Sequence, residues 1–245
     1  MSPADESTGD AMAVAARLGV VLARIRDAER RFGREPGSVR LLAVSKVQPA
    51  AKIIAAYGAG QRAFGESYAQ EGIDKIDAIA GLDPALAAAL EWHFIGRIQG
   101  NKTRLIAERF DWVHGLCDLR HARRLGEQRP AGRAPLACCI QVNLSGEASK
   151  GGLEPADVAG FAAACRDIVG IELRGLMTLP APAADVEAQR RPFAELRRLR
   201  ERIAAAGQPL PELSMGMSDD LEAAIAEGAT IVRIGTAVFG PRPPR

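Results

Sequence analysis

The spacing of hydrophobic and polar positions changes character repeatedly along this chain. Val14, Leu18, Val21, Leu22 and Ile25 recur at helical intervals and predict an amphipathic N-terminal helix ending near Gly33. Short apolar runs follow at 41–46, 63–65, 92–96, 112–116, 136–144, 172–179, 212–215 and 231–235, each reading as a strand. Stretches of helical period lie between them, at 50–57, 68–79, 102–109, 119–127, 155–168, 186–206 and 219–227. Strands that succeed one another through helices run parallel. Eight of them close into a (β/α)8 TIM-type barrel, here preceded by the N-terminal helix.

The competing architecture is an open doubly wound sheet, which uses a glycine-rich turn from a strand into a helix. Gly58-Ala59-Gly60-Gln61-Arg62-Ala63 has the glycines but leaves a helix and enters a strand, the wrong order. Pro180 to Ala184 is a loop after the sixth strand, and no low-complexity linker divides the chain. The expected organisation is one barrel domain over 1–245, with residues 1–10 disordered and 241–245 a frayed tail.

Composition narrows the function without naming it. A chain of 245 residues can bury roughly 70–75% of its unfolded surface. The net charge of +2 and the lack of a basic cluster argue against a nucleic-acid partner. Residues 190–202 interleave arginines with Glu195, Glu201, Leu196 and Leu199, the pattern of a solvated helix face. Cys117, Cys138, Cys139 and Cys165 show no CxxC spacing, so buried thiols in a reducing compartment are expected rather than a metal site or disulfides. The first ten residues are polar and acidic, and 11–23 contains Arg17 and is too short to span a bilayer. A cytoplasmic protein with no membrane partner is the expectation.

The chemistry starts from a lysine. The chain has five lysines against twenty-seven arginines, yet Lys46 closes the run Leu41-Leu42-Ala43-Val44-Ser45. A guanidinium keeps its proton, whereas a buried lysine can lose one and attack an aldehyde carbon. In barrels of this type the loops after strands seven and eight commonly hold a phosphate. Here Ser218 would open a helix at 219, joining its hydroxyl to outward-pointing amides, although a plain N-cap explains it as well. Gly235 admits close backbone approach, and Thr236 adds a hydroxyl and an amide. Arg233 sits in the apolar strand Ile231-Val232-Arg233-Ile234. If it points inward it needs a partner, either a structural ion pair or the acceptor nitrogen of a ring. An amine for an aldehyde, a phosphate cradle and an inward arginine together describe pyridoxal phosphate.

Longer motifs agree. Leu42-Ala43-Val44-Ser45-Lys46, Phe64-Gly65-Glu66-Ser67-Tyr68 and Trp92-His93-Phe94-Ile95-Gly96 with Gln99, Asn101 and Lys102 are followed by Gly175-Leu176-Met177-Thr178, then 213–220 and 232–240. In these segments the chain resembles the pyridoxal phosphate homeostasis protein family, often called YggS- or PROSC-like, over nearly its whole length. That family is similar to the barrel domain of bacterial alanine racemases. The resemblance implies an aldimine of pyridoxal phosphate on Lys46, Arg233 at the pyridine nitrogen, Ser218, Gly235 and Thr236 at the phosphate, and Met215 beside the ring. Ser67 stands where the family usually has asparagine, its shorter hydroxyl reaching the cofactor through water. Arg97 and Gly100 also depart from the family pattern and are expected on the loop's outer side.

Two functions compete under this resemblance. One is a non-enzymatic protein of intracellular pyridoxal phosphate homeostasis, a monomer that holds the cofactor as an exchangeable Schiff base for apo pyridoxal phosphate-dependent enzymes. The other is a racemase-like enzyme. A guanidinium facing an unprotonated pyridine gives a weaker electron sink than a carboxylate would. Alanine racemases use a tyrosine from a separate C-terminal domain, whereas this chain ends after the barrel and its tyrosines, Tyr57 and Tyr68, fall in early helices. They also carry a histidine where Leu179 stands here. His93, His114 and His121 show no triad or metal spacing, and His93 is either structural or at the barrel mouth. Lys102 and Lys150 read as solvated, or as contacts for an anion or partner. Burial beside Arg233 is expected to lower the Lys46 pKa. A third reading dispenses with pyridoxal and makes Lys46 an aldolase-like Schiff-base lysine.

Overall fold

The computed structural model describes residues 3–145 and 151–242. Eight parallel strands close into a barrel in sequence order. They are β1 (Arg40–Val44), β2 (Ala63–Glu66), β3 (Glu91–Phe94), β4 (Trp112–Leu116), β5 (Leu136–Gln141), β6 (Ile171–Met177), β7 (Glu212–Ser214) and β8 (Ile231–Ile234). Closure is made by β1 on β8, with Leu42 opposite Arg233 and Ala43 opposite Ile234. The eight-strand expectation holds. Six of the strands stop one to three residues before their apolar runs do, because the last residues of those runs leave the ladder and become the loops of the mouth.

The helices are α1 (Pro3–Arg31), α2 (Ala50–Gly58), α3 (Ala69–Leu82), α4 (Pro84–Ala88), α5 (Thr103–Arg109), α6 (Leu119–Glu127), α7 (Val158–Cys165), α8 (Val186–Ala205), α9 (Leu221–Ala226) and α10 (Thr236–Phe239). α4 and α10 are absent from the sequence reading because one turn of helix is too short to establish a period. In α4 the local chemistry carries the signal instead. Pro84 stands in the first turn and the Asp83 side chain accepts from the Leu86 amide. α1 begins at Pro3, inside the stretch expected to be disordered. Its buried stripe of Val14, Leu18, Val21 and Ile25 packs toward α2, α9 and α10, so it covers the barrel's closing seam from outside.

Two apolar regions result. The larger lies between sheet and helices and holds Phe64, Phe94, Phe110 and Phe193. The smaller fills the lumen with Leu42, Trp112, Cys139, Met177 and Ile231. Successive residues of a strand face opposite sides of the sheet, so the lumen and the helix layer share each strand alternately. Among the described residues no helix is long and apolar enough to cross a membrane.

Candidate functional site

At the carboxyl ends of the strands a cavity of about 280 Å³ opens between the β1, β2, β3 and β6 ends and the loops after β7 and β8. Lys46, Ser67, Ser218, Arg233, Gly235 and Thr236 all line it. Met215 does not. It is fully buried in the layer between sheet and helices. The reason is strand parity: Ser214 pairs with Ile231 and faces the lumen, so the next residue turns outward. Met177 and Met217 line the cavity instead.

Lys46 stands just past β1, half-buried. Burial lowers its pKa, and the next contribution in the same direction is the nearby cation of Arg242, while Tyr68, Glu66 and Glu71 pull it up. The sequence reading named Arg233 as the neighbouring positive charge, so this assignment is corrected. Arg242 lies in the stretch expected to be a frayed tail, yet it lines the cavity. Two bonds hold that segment in place. The Lys52 Nζ donates to the Phe239 carbonyl at 3.2 Å, and the Gln48 Nε2 to the Pro241 carbonyl at 3.4 Å.

The backbone around Lys46 is clamped on both sides. Lys75, buried on α3, donates to the Ser45 carbonyl at 2.8 Å, to Glu66 Oε1 at 2.8 Å and to Glu71 Oε1 at 2.6 Å. The Ser45 hydroxyl donates to Glu66 at 2.6 Å, and burial raises the Glu66 pKa against the pull of Lys75. On the far side Val47 has φ +60°, a left-handed conformation that a β-branched residue rarely adopts, and its N–H donates to the Glu71 carboxylate. The strand is thereby turned sharply next to the lysine. No spacing rule reveals this cluster, because its members come from β1, β2 and α3.

Arg233 is only 5% exposed. Its Nη1 donates to the Ser214 hydroxyl at 2.7 Å and its Nη2 to the Thr178 carbonyl at 2.9 Å. Neither partner is charged, so the ion-pair explanation offered by the sequence does not apply. Burial pushes the guanidinium down to about 10, with Asp220 opposing, and it remains a cation at neutral pH. A guanidinium has five N–H donors. With two spent on neutral groups, a buried charge still faces the cavity with donors to offer.

Ser218 is placed differently from expectation. The Asp220 carboxylate accepts from the Met217 amide at 2.5 Å, so 217–220 form a turn and α9 opens only at Leu221. Ser218 therefore caps nothing and sits on the cavity wall. Arg24 of α1 steadies this turn, donating to the Ser218 carbonyl at 3.2 Å while gripping Glu222 at 2.9 Å. Opposite it, α10 starts at Thr236, and the amides of Val238 and Phe239 are already taken by the Gly235 carbonyl at 2.9 and 3.0 Å. Gly235 has its own structural reason: a Cβ there would lie 3.2 Å from the Val44 carbonyl oxygen.

Tyr68 immediately precedes α3, half exposed, rather than lying within a helix, and is near enough to influence Lys46. His93 is buried in the lumen, not at the mouth. Its Nδ1 lies 2.8 Å from His114 Nε2, and its Nε2 lies 2.5 Å from Glu91 Oε1. His114 Nδ1 in turn lies 2.7 Å from the Ser214 hydroxyl. Burial holds both imidazoles below their ordinary range, His114 the further of the two. His121 and Arg97 border an adjoining cavity of about 440 Å³, and Lys102 borders another with Ser67 and Arg97. Arg97 is exposed, as expected for the loop's outer side. Lys150 lies outside the described residues.

Residues 18–243 match the family model described as alanine racemase, N-terminal domain. The chain is 53% identical over 229 residues to a pyridoxal phosphate homeostasis protein of Pseudomonas aeruginosa, covering 94% of this chain and 96% of that one. It is 48% identical over 232 residues to the protein of the same name from Escherichia coli, covering 94% and 97%. Among solved structures it is similar to PipY of Synechococcus elongatus with pyridoxal phosphate bound, at 37% identity and a TM-score of 0.79 over 93% of this chain and 100% of that one.

Proposed function

The chain belongs to the alanine racemase N-terminal domain family, among its pyridoxal phosphate homeostasis proteins, and from that premise we propose that it holds pyridoxal phosphate as an exchangeable Schiff base on Lys46. The observation that carries this reading is Arg233: a buried cation with two neutral partners, facing a cavity that also contains a primary amine. The residues present fit the cofactor. Arg233 suits an unprotonated ring nitrogen, the Ser218 and Thr236 hydroxyls with the backbone at Gly235 suit a phosphate, and Lys46 suits an aldehyde. The cavity is near the lower end of the roughly 300–1,000 Å³ usual for small-molecule sites.

Capture begins with neutral Lys46. Its nitrogen attacks the aldehyde carbon, a carbon–nitrogen double bond replaces the carbonyl, and the oxygen leaves as water. Burial and the Arg242 cation favour the neutral amine that this requires. When bound, the cofactor supplies an electron sink, and a guanidinium at the pyridine nitrogen keeps that sink weak. This supports a holder of the cofactor rather than a catalyst. Thr236, Met217 and Arg242 are exposed at the rim, leaving the imine within reach of incoming amines and of apo pyridoxal phosphate-dependent enzymes of the cytoplasm.

The racemase-like alternative draws on Tyr68, which is near enough to Lys46 to influence its pKa. The two readings separate on incubation with L-amino acids: sustained formation of D-isomers or keto acids supports catalysis and overturns the holder. The assignment itself is tested by borohydride reduction of the yellow adduct and mass mapping. Reduction is expected to mark Lys46, and Lys46→Ala to abolish both colour and label without changing the far-ultraviolet circular dichroism. A protein that stays colourless with excess cofactor, or a label on another lysine, overturns it.

A further inference from the structure

Four hydrogen bonds join five side chains in single file through the lumen. Arg233 on β8 meets Ser214 on β7, Ser214 meets His114 on β4, His114 meets His93 on β3, and His93 meets Glu91 at the opposite mouth. β4 and β7 are not neighbours in the sheet, so the Ser214–His114 bond crosses the interior of the barrel.

The direction of every bond in the file is forced. A guanidinium only donates, so the Ser214 oxygen accepts from Arg233. At the other end the Glu91 carboxylate only accepts, so a neutral His93 accepts at Nδ1 from His114, whose bare Nδ1 then takes the serine hydrogen. Neutral His114 therefore carries its hydrogen on Nε2 and donates to His93 Nδ1. His93 in turn carries its hydrogen on Nε2 and donates to Glu91. A cation stands at one end and a carboxylate at the other, with both imidazoles neutral between them. Aligned bonds of this kind polarise one another in a medium of low dielectric.

Charged groups around the file favour this arrangement. Arg40 of β1 lies 3.4 Å from Glu91 and 3.6 Å from Glu212 of β7, and its guanidinium stacks 5.3 Å above the Trp112 ring. Trp112 stacks on His93 with ring centroids 5.3 Å apart. Glu91 and, less strongly, Asp111 draw a proton toward His93, but burial outweighs them, while Arg40 opposes protonation of both imidazoles and Arg233 that of His114. One extra proton on His93 Nδ1 would require His114 to accept at Nε2. Its own hydrogen would then point at Ser214, which would face two donors and lose the His114 nitrogen as acceptor for its hydrogen.

We propose that Ser214, His114, His93 and Glu91 are positioning residues for Arg233, a one-way hydrogen-bond file that presses the Ser214 oxygen onto the guanidinium and fixes it beneath the cavity. The barrel's far mouth thereby takes part in setting the group that meets the ligand. What Arg233 meets rests on the function proposed above, but the file itself does not.

The experiment has two arms. In the protein without cofactor, nitrogen-15 spectra at pH 7.5 are expected to show His93 and His114 neutral with hydrogen on Nε2. They should also show Arg233 Nη resonances split by hindered rotation. Glu91→Leu should change the His93 tautomer and collapse the Arg233 splitting, and Glu91→Gln, which still offers an oxygen, should restore both. A protonated ring, or hydrogen on His114 Nδ1, overturns the file. An unchanged Arg233 splitting in Ser214→Ala overturns the positioning role. In the second arm, Ser214→Ala and Glu91→Leu are expected to raise the rate of pyridoxal phosphate release about fivefold to tenfold and to shift the pH midpoint of the adduct's absorbance. Unchanged release and midpoint, with the first arm as expected, again sink the positioning role. A wild-type protein that binds no pyridoxal phosphate sinks the function reading alone, and the first arm then decides the file.

Discussion

The Gln48 side-chain amide reaches the Pro241 carbonyl at 3.4 Å, so the loop that follows Lys46 also holds the segment that carries Arg242. The amine and the arginine that lowers its pKa are thus fixed by one short stretch, 46–48. Replacing Arg242 with alanine removes a like charge and raises the Lys46 pKa. Less of the amine is then neutral at pH 7. The rate at which adduct absorbance grows should fall roughly threefold, as fits a partly screened charge, and its pH profile should move upward. A profile that stays in place or moves to lower pH contradicts the assignment of Arg242.

The phosphate end should be separable from the imine end. Ser218→Ala and Thr236→Ala each remove one hydroxyl from the cavity wall, and a hydrogen bond to a charged group is worth about 1.5–3 kcal/mol. Affinity for pyridoxal phosphate, measured by equilibrium dialysis, should drop by about tenfold or more in each. Affinity for pyridoxal, which lacks the phosphate, should stay within about twofold. Equal losses for both ligands would show that these hydroxyls do not meet the phosphate.

Lys75 bears on the site through stability. Lys75→Met leaves Glu66 buried beside its own unpaired Oε2 and releases the Ser45 carbonyl, so unfolding in urea should show a loss of about 3 kcal/mol. Adding Glu66→Gln removes the stranded carboxylate and should recover part of that loss. A double variant less stable than Lys75→Met would mean that Glu66 is not the group stranded.

Acid should weaken the fold through the lumen. His93 and His114 have folded pKa values below the ordinary value near 6.5, chiefly through burial. As pH falls through about 6.5 the unfolded chain takes up protons at these imidazoles and the folded chain does not, so their contribution to stability, complete above that pH, declines below it. Glu66 acts in the opposite sense, since its raised folded pKa makes the folded chain take up a proton earlier on acidification. Urea midpoints between pH 5 and 8 should therefore fall more steeply in the wild type than in a His93→Asn, His114→Asn double variant. Parallel curves would show that the two rings do not carry the dependence.

Much of the architecture could be read from the chain because each strand is short, apolar and followed by a helix of its own period. The strand boundaries drifted where apolar residues such as Ile95 and Leu179 serve the cavity rather than the ladder. α4 and α10 escaped because their signals are a cap and a glycine, not a repeat. The candidate site was legible where chemistry and position coincide, as at Lys46, Arg233, Gly235 and Thr236. It failed at Met215, although counting parity from Arg233 through the β7–β8 register explains why that side chain turns away.

Amino-acid order alone sufficed for the eight-strand alternation and for gathering an amine, two hydroxyls and an inward arginine at the strand ends, because these depend on local period and side-chain chemistry. Barrel closure decided the remainder. It brought His93 to His114 across twenty-one positions, joined Arg233 to Ser214 instead of a carboxylate, and packed Lys75 beneath Ser45. It also laid Arg242 beside Lys46, from nearly two hundred positions away. Such pairings depend on which strands face one another around a ring and how their registers match, and no local pattern in the chain encodes that relation.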